Sequence, residues 1–244
     1  MWPKIRKKNH SPNFNSLKRL KKKIKFIIIH YTGMQKESSA INRLCDKNTS
    51  VSAHYFIKRN GEILNLVPDL YEAWHAGKSS WKKLTSLNKN SIGIEIQNQG
   101  HEHNYEKFSS KQINSLKKLL RALIRYYKIN LSNVLGHSDI SPERKKDPGE
   151  KFPWKNLAKA KLAKWHNLNE NRLKQNRLKK LNKIEEKKFI KNLYFIGYKN
   201  IKKLNSNSNK KILVKAFQRR FRQSLINGKS DQECLLITKN LLKS

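Results

Sequence analysis

The heptapeptide SIGIEIQ, residues 91–97, is followed shortly by SSKQINSLKKLLRALIRYYK, residues 109–128. The first segment alternates strictly, with Ile92, Ile94 and Ile96 on one side and Gly93, Glu95 and Gln97 on the other. That is the period of a β-strand. In the second, Ile113, Leu116, Leu120, Leu123 and Tyr127 recur at helical spacing and make one apolar stripe, with Ser109 and Gln112 placed as a capping box. A strand with one apolar side beside a helix with one apolar stripe predicts helices laid on a sheet.

The flanking sequence extends this pattern. IKFIIIHYTG reads as a buried strand from Ile24 to Ile29 that delivers His30 at its C-terminal end. HYFIKRNGEILNLV reads as a hairpin, because two β-rich runs flank Asn60-Gly61, the pair that favours a type I′ turn. Val134 and Leu135 form a short apolar run leading into His137. The chain is therefore expected to be α/β through residue 160, a mixed central β-sheet flanked by helices. After Trp165 the composition shifts, and residues 166–188 are nearly all Asn, Lys, Arg, Leu and Glu. The expected division is a main domain at 1–165, a basic linker or exposed helix at 166–188, and a small helical domain at 189–244. In the last, Leu213, Phe217, Phe221 and Leu225 step by four, and Asp231 can cap a final helix carrying Cys234, Leu235, Thr238, Leu241 and Leu242.

Composition narrows the function less. The net charge of +38 suggests a polyanion, but lysine is spread along the whole chain together with asparagine and isoleucine. A/T-rich codons encode that trio, so base composition competes with a selected surface as its cause. No zinc finger, RNP-like motif or basic region leading into heptads accompanies the charge, and no specific nucleic-acid partner is expected. Cys45 and Cys234 have no paired spacing and read as reduced, buried small apolar residues. The longest apolar run, Phe26–Ile29, is far short of a membrane span.

The chemistry concentrates in GHSDISPERKKDPGEKFPW, residues 136–154, where His137, Asp139 and Asp147 lie among three prolines. Proline stiffens a loop that must place groups accurately, although turn-forming Asp and Pro on a plain surface loop give the same composition. His30, His137 and Asp147 make a two-histidine, one-carboxylate set, which leaves a fourth position open in the manner of a catalytic zinc site. Nitrogen and oxygen donors exclude a soft, thiolate-type centre. The three form no compact HExxH motif, so spacing alone does not settle the set. Glu95, opposite the three isoleucines, is either a base lining a cleft or a solvent-facing polar residue. Lys145, two residues before Asp147, is either a positive partner for an oxyanion or a solvated lysine. His75, beside Trp74, is a cleft residue or a packed histidine; His54, in a hairpin strand, reads as structural.

Five ordered blocks carry a resemblance: FIIIHYTGM (26–34), VSAHYFIKRNGEILNLVPD (51–69), AWHAGKSSW (73–81), SIGIEIQNQGH (91–101) and the 136–154 loop. Together they resemble the type 2 N-acetylmuramoyl-L-alanine amidases, the zinc amidase family that includes peptidoglycan recognition proteins. SPNFN at 11–15 resembles the start of its bacterial branch, and the match runs from about Ser11 to Trp165. The resemblance implies one zinc per chain on His30, His137 and Asp147, Glu95 as general base, Lys145 as oxyanion stabiliser, and His75 and Trp81 in the substrate cleft. Some phage members use a tyrosine where this chain has Ala53, which leaves the base role to Glu95. Other members use cysteine as third ligand where this chain has Asp147.

The implied reaction is hydrolysis of the amide between the lactyl group of N-acetylmuramic acid and L-alanine, in peptidoglycan or anhydro-muropeptides, by a monomer. Members that lose a ligand only bind peptidoglycan, but all three positions are filled here. A nucleic-acid-binding protein has only charge in its favour. LVKAFQRRFRQSLINGKSDQECLLITKNLL, residues 213–242, resembles a three-helix peptidoglycan-binding module, the alternative being a helical cap on the main domain. No apolar segment follows the basic start MWPKIRKK, which favours the cytoplasm; a wall-binding tail favours the periplasm or the outer-membrane-associated envelope.

Overall fold

The computed structural model describes residues 2–7, 9–199 and 207–243, so residues 200–206 and 244 of the expected C-terminal unit lie outside the described residues. The strands are β1 (Ile5–Arg6), β2 (Phe14–Asn15), β3 (Phe26–Tyr31), β4 (Tyr55–Ile57) and β5 (Ile63–Asn65). They continue as β6 (Glu72–Ala73), β7 (Ser80–Trp81), β8 (Leu84–Thr85), β9 (Ser91–Ile96) and β10 (Val134–Gly136). The helices are α1 (Glu37–Cys45), α2 (Ser110–Tyr127), α3 (His137–Ile140) and α4 (Trp154–Lys159). After them come α5 (Glu170–Asn176), α6 (Lys183–Ile196), α7 (Asn207–Phe221) and α8 (Gln232–Lys243).

Six strands form the central sheet in the order β1-β5-β4-β9-β3-β10. It is mixed, because β4 and β5 are antiparallel while β3 runs parallel to both β9 and β10. The hairpin forms as expected, but its turn differs. Asn60 does not adopt positive φ; only Gly61 does, at 86°. Lys58 accepts from Gly61 N at 2.9 Å and donates to Glu62 O at 2.9 Å, and Asn60 Oδ1 accepts from Glu62 N. This is a longer turn closed by one left-handed glycine rather than the two-residue type I′ form. A Cβ on Gly61 would also lie 2.8 Å from the carbonyl oxygen of Lys111.

Each face of the sheet has its own core. On one, Ile27, Ile29, Ile92, Ile94 and Ile96 meet Ile113, Leu116, Leu119, Leu120 and Leu123 of α2. The capping box forms there, Ser109 Oγ accepting from Gln112 N and Gln112 Oε1 accepting from Ser109 N. The other face carries Phe26, Ile28 and Leu135, and its cover comes mostly from beyond residue 165. Leu173, Phe189, Leu193, Tyr198, Leu213, Phe217, Leu235 and Leu241 share one core with those strands and with Ile140. The expected linker is accordingly not a free tether. Within 166–188, Asn169 caps α5, Leu173 is buried, α6 has already begun, and Arg177 donates twice to the buried Glu233 at 2.7 and 2.8 Å. Asp231 caps α8 as expected, accepting from Cys234 N at 3.0 Å. Both cysteines are free thiols; Cys234 is buried, whereas Cys45 is only half-buried.

A chain ending at Trp165 would uncover Phe26, Ile28, Leu135 and Ile140, each worth about 1.5–3 kcal/mol of burial. That loss is comparable with the whole stability of a typical domain, about 5–15 kcal/mol. The truncated chain is expected to be insoluble or to melt far below the full chain, as read by soluble yield and thermal unfolding. Retention of the full-length melting temperature would show that the second core is not integral to the fold.

Candidate active site

Parallel pairing delivers the site. In β3 and β9, His30 stands directly opposite Glu95, so both side chains leave the sheet on the same side. On the other flank β10 pairs Gly136 with Ile29, which places His137, the first residue of α3, beside His30. The loop after α3 folds back so that Ser138 N donates to Asp147 O at 2.8 Å. Three donor atoms then converge. His30 Nδ1 and His137 Nδ1 lie 3.0 Å apart, and each is 3.1 Å from Asp147 Oδ2. All three residues are buried.

The outer nitrogens define the tautomers. His137 Nε2–H donates to Ala76 O at 3.1 Å, leaving Nδ1 as a lone pair. His30 Nε2–H donates to His75 Nδ1 at 3.0 Å, His75 Nε2–H to Ser91 Oγ at 3.1 Å, and the Ser91 hydroxyl to Leu87 O at 2.6 Å. This relay also leaves a lone pair on His30 Nδ1. Gly93 makes room for it, since a Cβ there would sit 2.4 Å from the His75 ring. Burial, reinforced by His137, pushes the His30 imidazole down to about 4 and so keeps it neutral. Burial alone would raise the Asp147 carboxyl, but His137 and His30 together hold it well below the usual carboxylate range. Two imidazoles and one carboxylate converge in a set compatible with a metal ion. Zinc bonds of about 2.0–2.2 Å put tetrahedral donors about 3.3–3.6 Å apart, so the triangle needs to open by only a few tenths of an ångström.

This set lies in a cleft of about 340 Å³ that is also lined by Tyr31, Trp74, His75, Glu95, Arg144, Lys145 and Lys146. Burial, with Asp147 adding and Lys145 opposing, pushes the Glu95 carboxyl up to about 8, and its Oε2 has no protein partner. It is a carboxyl whose proton affinity lies near neutral pH, in the same cleft as His30, His137 and Asp147. Arg43 of α1 and Glu102 line the same cleft, with Glu102 3.7 Å from Lys146.

The structure thus brings together His30, His137, Asp147, Glu95, Lys145 and His75. His75 lies 8% exposed behind a ligand, where its hydrogen bonds orient His30. Trp81 does not line the cleft. It is 2% exposed and packs edge-on against Tyr198 at 4.9 Å, because the C-terminal helices cover that side of the sheet. His54 is structural, accepting from Gly93 N and donating to Tyr71 O, each at 3.0 Å. Sequence reasoning missed Ser91 and the acceptor role of Asp139, which takes Gly136 N at 2.8 Å and Tyr198 OH at 2.7 Å. The available signals were Gly93 between Ser91 and Glu95 on the polar side of its strand and an aspartate two residues after His137.

Residues 20–150 match the family model described as N-acetylmuramoyl-L-alanine amidase. The chain is 34% identical over 233 residues to N-acetylmuramoyl-L-alanine amidase AmiD of Escherichia coli, covering 91% of this chain and 83% of that protein. It is 41% identical over 104 residues to 1,6-anhydro-N-acetylmuramyl-L-alanine amidase AmpD of Citrobacter freundii, covering 43% of this chain and 54% of that one. Among solved structures, it resembles E. coli AmiD in complex with the substrate anhydro-N-acetylmuramic acid-L-Ala-D-gamma-Glu-L-Lys, with a TM-score of 0.79 over 91% of this chain and 89% of that one. AmpDh3 from Pseudomonas aeruginosa also gives 0.79, at 28% identity, over 95% and 96% of the two chains. With more than half of its length matched by the family model and nearly all of it shared with AmiD, this chain belongs to the N-acetylmuramoyl-L-alanine amidase family.

Proposed function

We propose that this chain is a zinc hydrolase that cleaves the amide between the lactyl group of N-acetylmuramic acid and L-alanine in wall-derived muropeptides. The observation that carries the reading is the convergence of the His30, His137 and Asp147 donor atoms in one cleft with Glu95, whose Oε2 has no protein partner. One zinc ion held by these three residues would supply Lewis acidity, polarising a carbonyl and lowering the pKa of water toward about 7. Glu95, with its raised proton affinity, takes the proton of the attacking water and returns it to the leaving amine. Lys145 presents an ammonium group to the cleft, where negative charge develops on the carbonyl oxygen. His75 and Ser91 keep the His30 ring in the ligating tautomer throughout.

The substrate class follows from chemistry and kinship. The cleft wall carries Arg43, Lys145 and Lys146, which suit the carboxylates of a peptide stem, and the AmiD relative is seen with an anhydro-muropeptide. We take soluble anhydro-muropeptides as the substrate and the chain as a monomer acting in the cytoplasm. No helix among the described residues is long and apolar enough to cross a membrane. Turnover of soluble muropeptides against intact sacculi, together with cell fractionation, tests this assignment. Activity confined to sacculi and protein confined to the envelope would replace it.

The purified chain is expected to hold about one zinc and to lose muropeptide hydrolysis on chelation, recovering it when zinc is restored. His137→Ala should remove both metal and activity, because two donors bind zinc poorly; an active, metal-free preparation would end the zinc reading. Glu95→Gln keeps the shape of the side chain without its basicity. Its turnover should fall by roughly 10²–10⁴ while metal content, read by elemental analysis, stays at the wild-type value.

A further inference from the structure

The loop carrying His137, Lys145 and Asp147 meets the last turn of α7 at both ends, by a hydrogen-bonded ion pair at one and a longer charge contact at the other. At the first end, Arg220 Nη1 donates to Asp139 Oδ2 at 2.6 Å and Nη2 donates to Val134 O at 3.0 Å. Asp139 Oδ2 also accepts from Gly136 N, the residue immediately before His137, while Oδ1 accepts from Tyr198 OH at 2.7 Å. This pair is dry, with the Arg220 and Asp139 side chains 3% and 1% exposed. The Arg220 guanidinium lies over the Trp154 ring, 4.1 Å from its centroid.

At the other end, Arg219 Nε lies 3.8 Å from Glu150 Oε2, three residues after Asp147. Glu150 accepts from His101 Nε2–H at 3.1 Å, and His101 Nδ1 accepts from Tyr31 OH at 2.8 Å. Tyr31 follows the ligand His30 and lines the cleft. Just beyond α7, Gln223 donates to Phe152 O at 2.6 Å. A peripheral module docked on a finished catalytic domain would not be expected to contribute half of a buried ion pair beside a metal ligand, because breaking such a pair leaves an uncompensated charge.

We propose that Arg219 and Arg220 of α7, with Tyr198 beside them, are positioning residues that hold the 137–150 loop in its ligating geometry, so that the C-terminal helices complete the amidase site. This rests on the zinc reading above. The helices act through Asp139 and Glu150 and touch neither metal nor substrate.

The test uses the full chain and zinc itself. Tyr198→Phe removes one hydrogen bond to Asp139 but keeps the ring against Trp81, and Arg219→Gln removes the charge facing Glu150. Each should weaken zinc binding by about 10-fold, measured by competition with a chromophoric chelator, since outer partners of ligands typically matter at the 10–100-fold level. Phe189→Leu, a core change in α6 that touches Phe217 of α7 but makes none of the hydrogen bonds to Asp139 or Glu150, supplies the control. It should lower the melting temperature of the metal-free chain while leaving zinc affinity unchanged. Arg220→Lys, which keeps the charge but not the two-pronged grip, should weaken zinc binding more than Phe189→Leu at a smaller or equal loss of melting temperature. If the wild type binds zinc and Tyr198→Phe and Arg219→Gln bind it as tightly, the positioning role is overturned and the zinc reading stands. Zinc affinity that merely follows melting temperature across all four variants overturns it as well. A wild type that binds no zinc overturns the metal reading and the positioning role together.

Discussion

Everything in this site depends on β3 being flanked in parallel by β9 and β10. Parallel neighbours in register send opposed side chains to the same face, so His30 and Glu95 emerge together. The end of β10 then starts α3 with His137 alongside them. Only Asp147 has to be brought in by a loop, and that loop is closed by its own backbone bond from Ser138. The sheet thus sets His30 and Glu95 and starts His137 beside them, leaving Asp147 to irregular structure. This economy also explains why the relay from His30 through His75 to Ser91 runs along β9, where Gly93 leaves a gap one ring deep.

Acidic residues are scarce here, 17 against 55 Lys and Arg, and several are placed with care. Asp147 joins His30 and His137, and Glu95 lines the same cleft. Asp139 meets Arg220, while Asp231 and Glu233 share the buried Arg222. In a chain of this charge an exposed lysine is easily replaced by another, but a buried carboxylate is not. The overall charge therefore says little about a partner, whereas the position of each buried acid points to a structural or chemical role.

Much of this was legible in sequence because it is local. The alternation of 91–97, the stripe and capping box of α2, and His30 near the end of an isoleucine strand are short-range patterns. They survive because each element buries the side that its period defines. What could not be read depends on distant partners. Trp81 reads as a cleft aromatic but is covered by Tyr198, and His75, which does line the cleft, owes its place behind His30 to the room left by Gly93. Asn60-Gly61 fits more than one turn, and the packing of Gly61 against Lys111 accompanies the longer one. Residues 166–188 read as a linker because their apolar residues are few. Leu173, helped by Leu168 and Leu181, nevertheless joins the second core.

The two faces of the sheet are covered at different times in the life of the chain. The α2 side closes with residues that follow β9 almost at once, whereas on the opposite side α1 covers Phe56 and Leu64 early but Phe26, Ile28 and Leu135 wait for helices α5 to α8 at the far end of the sequence. On a ribosome adding about 5–20 residues per second, Phe26, Ile28 and Leu135 stay uncovered for several seconds after their strands can pair. During that interval the half-built sheet is a sticky surface that a chaperone or a neighbouring nascent chain can reach. Late arrival of Arg220 also means that Asp139 waits without its cation until synthesis is nearly finished.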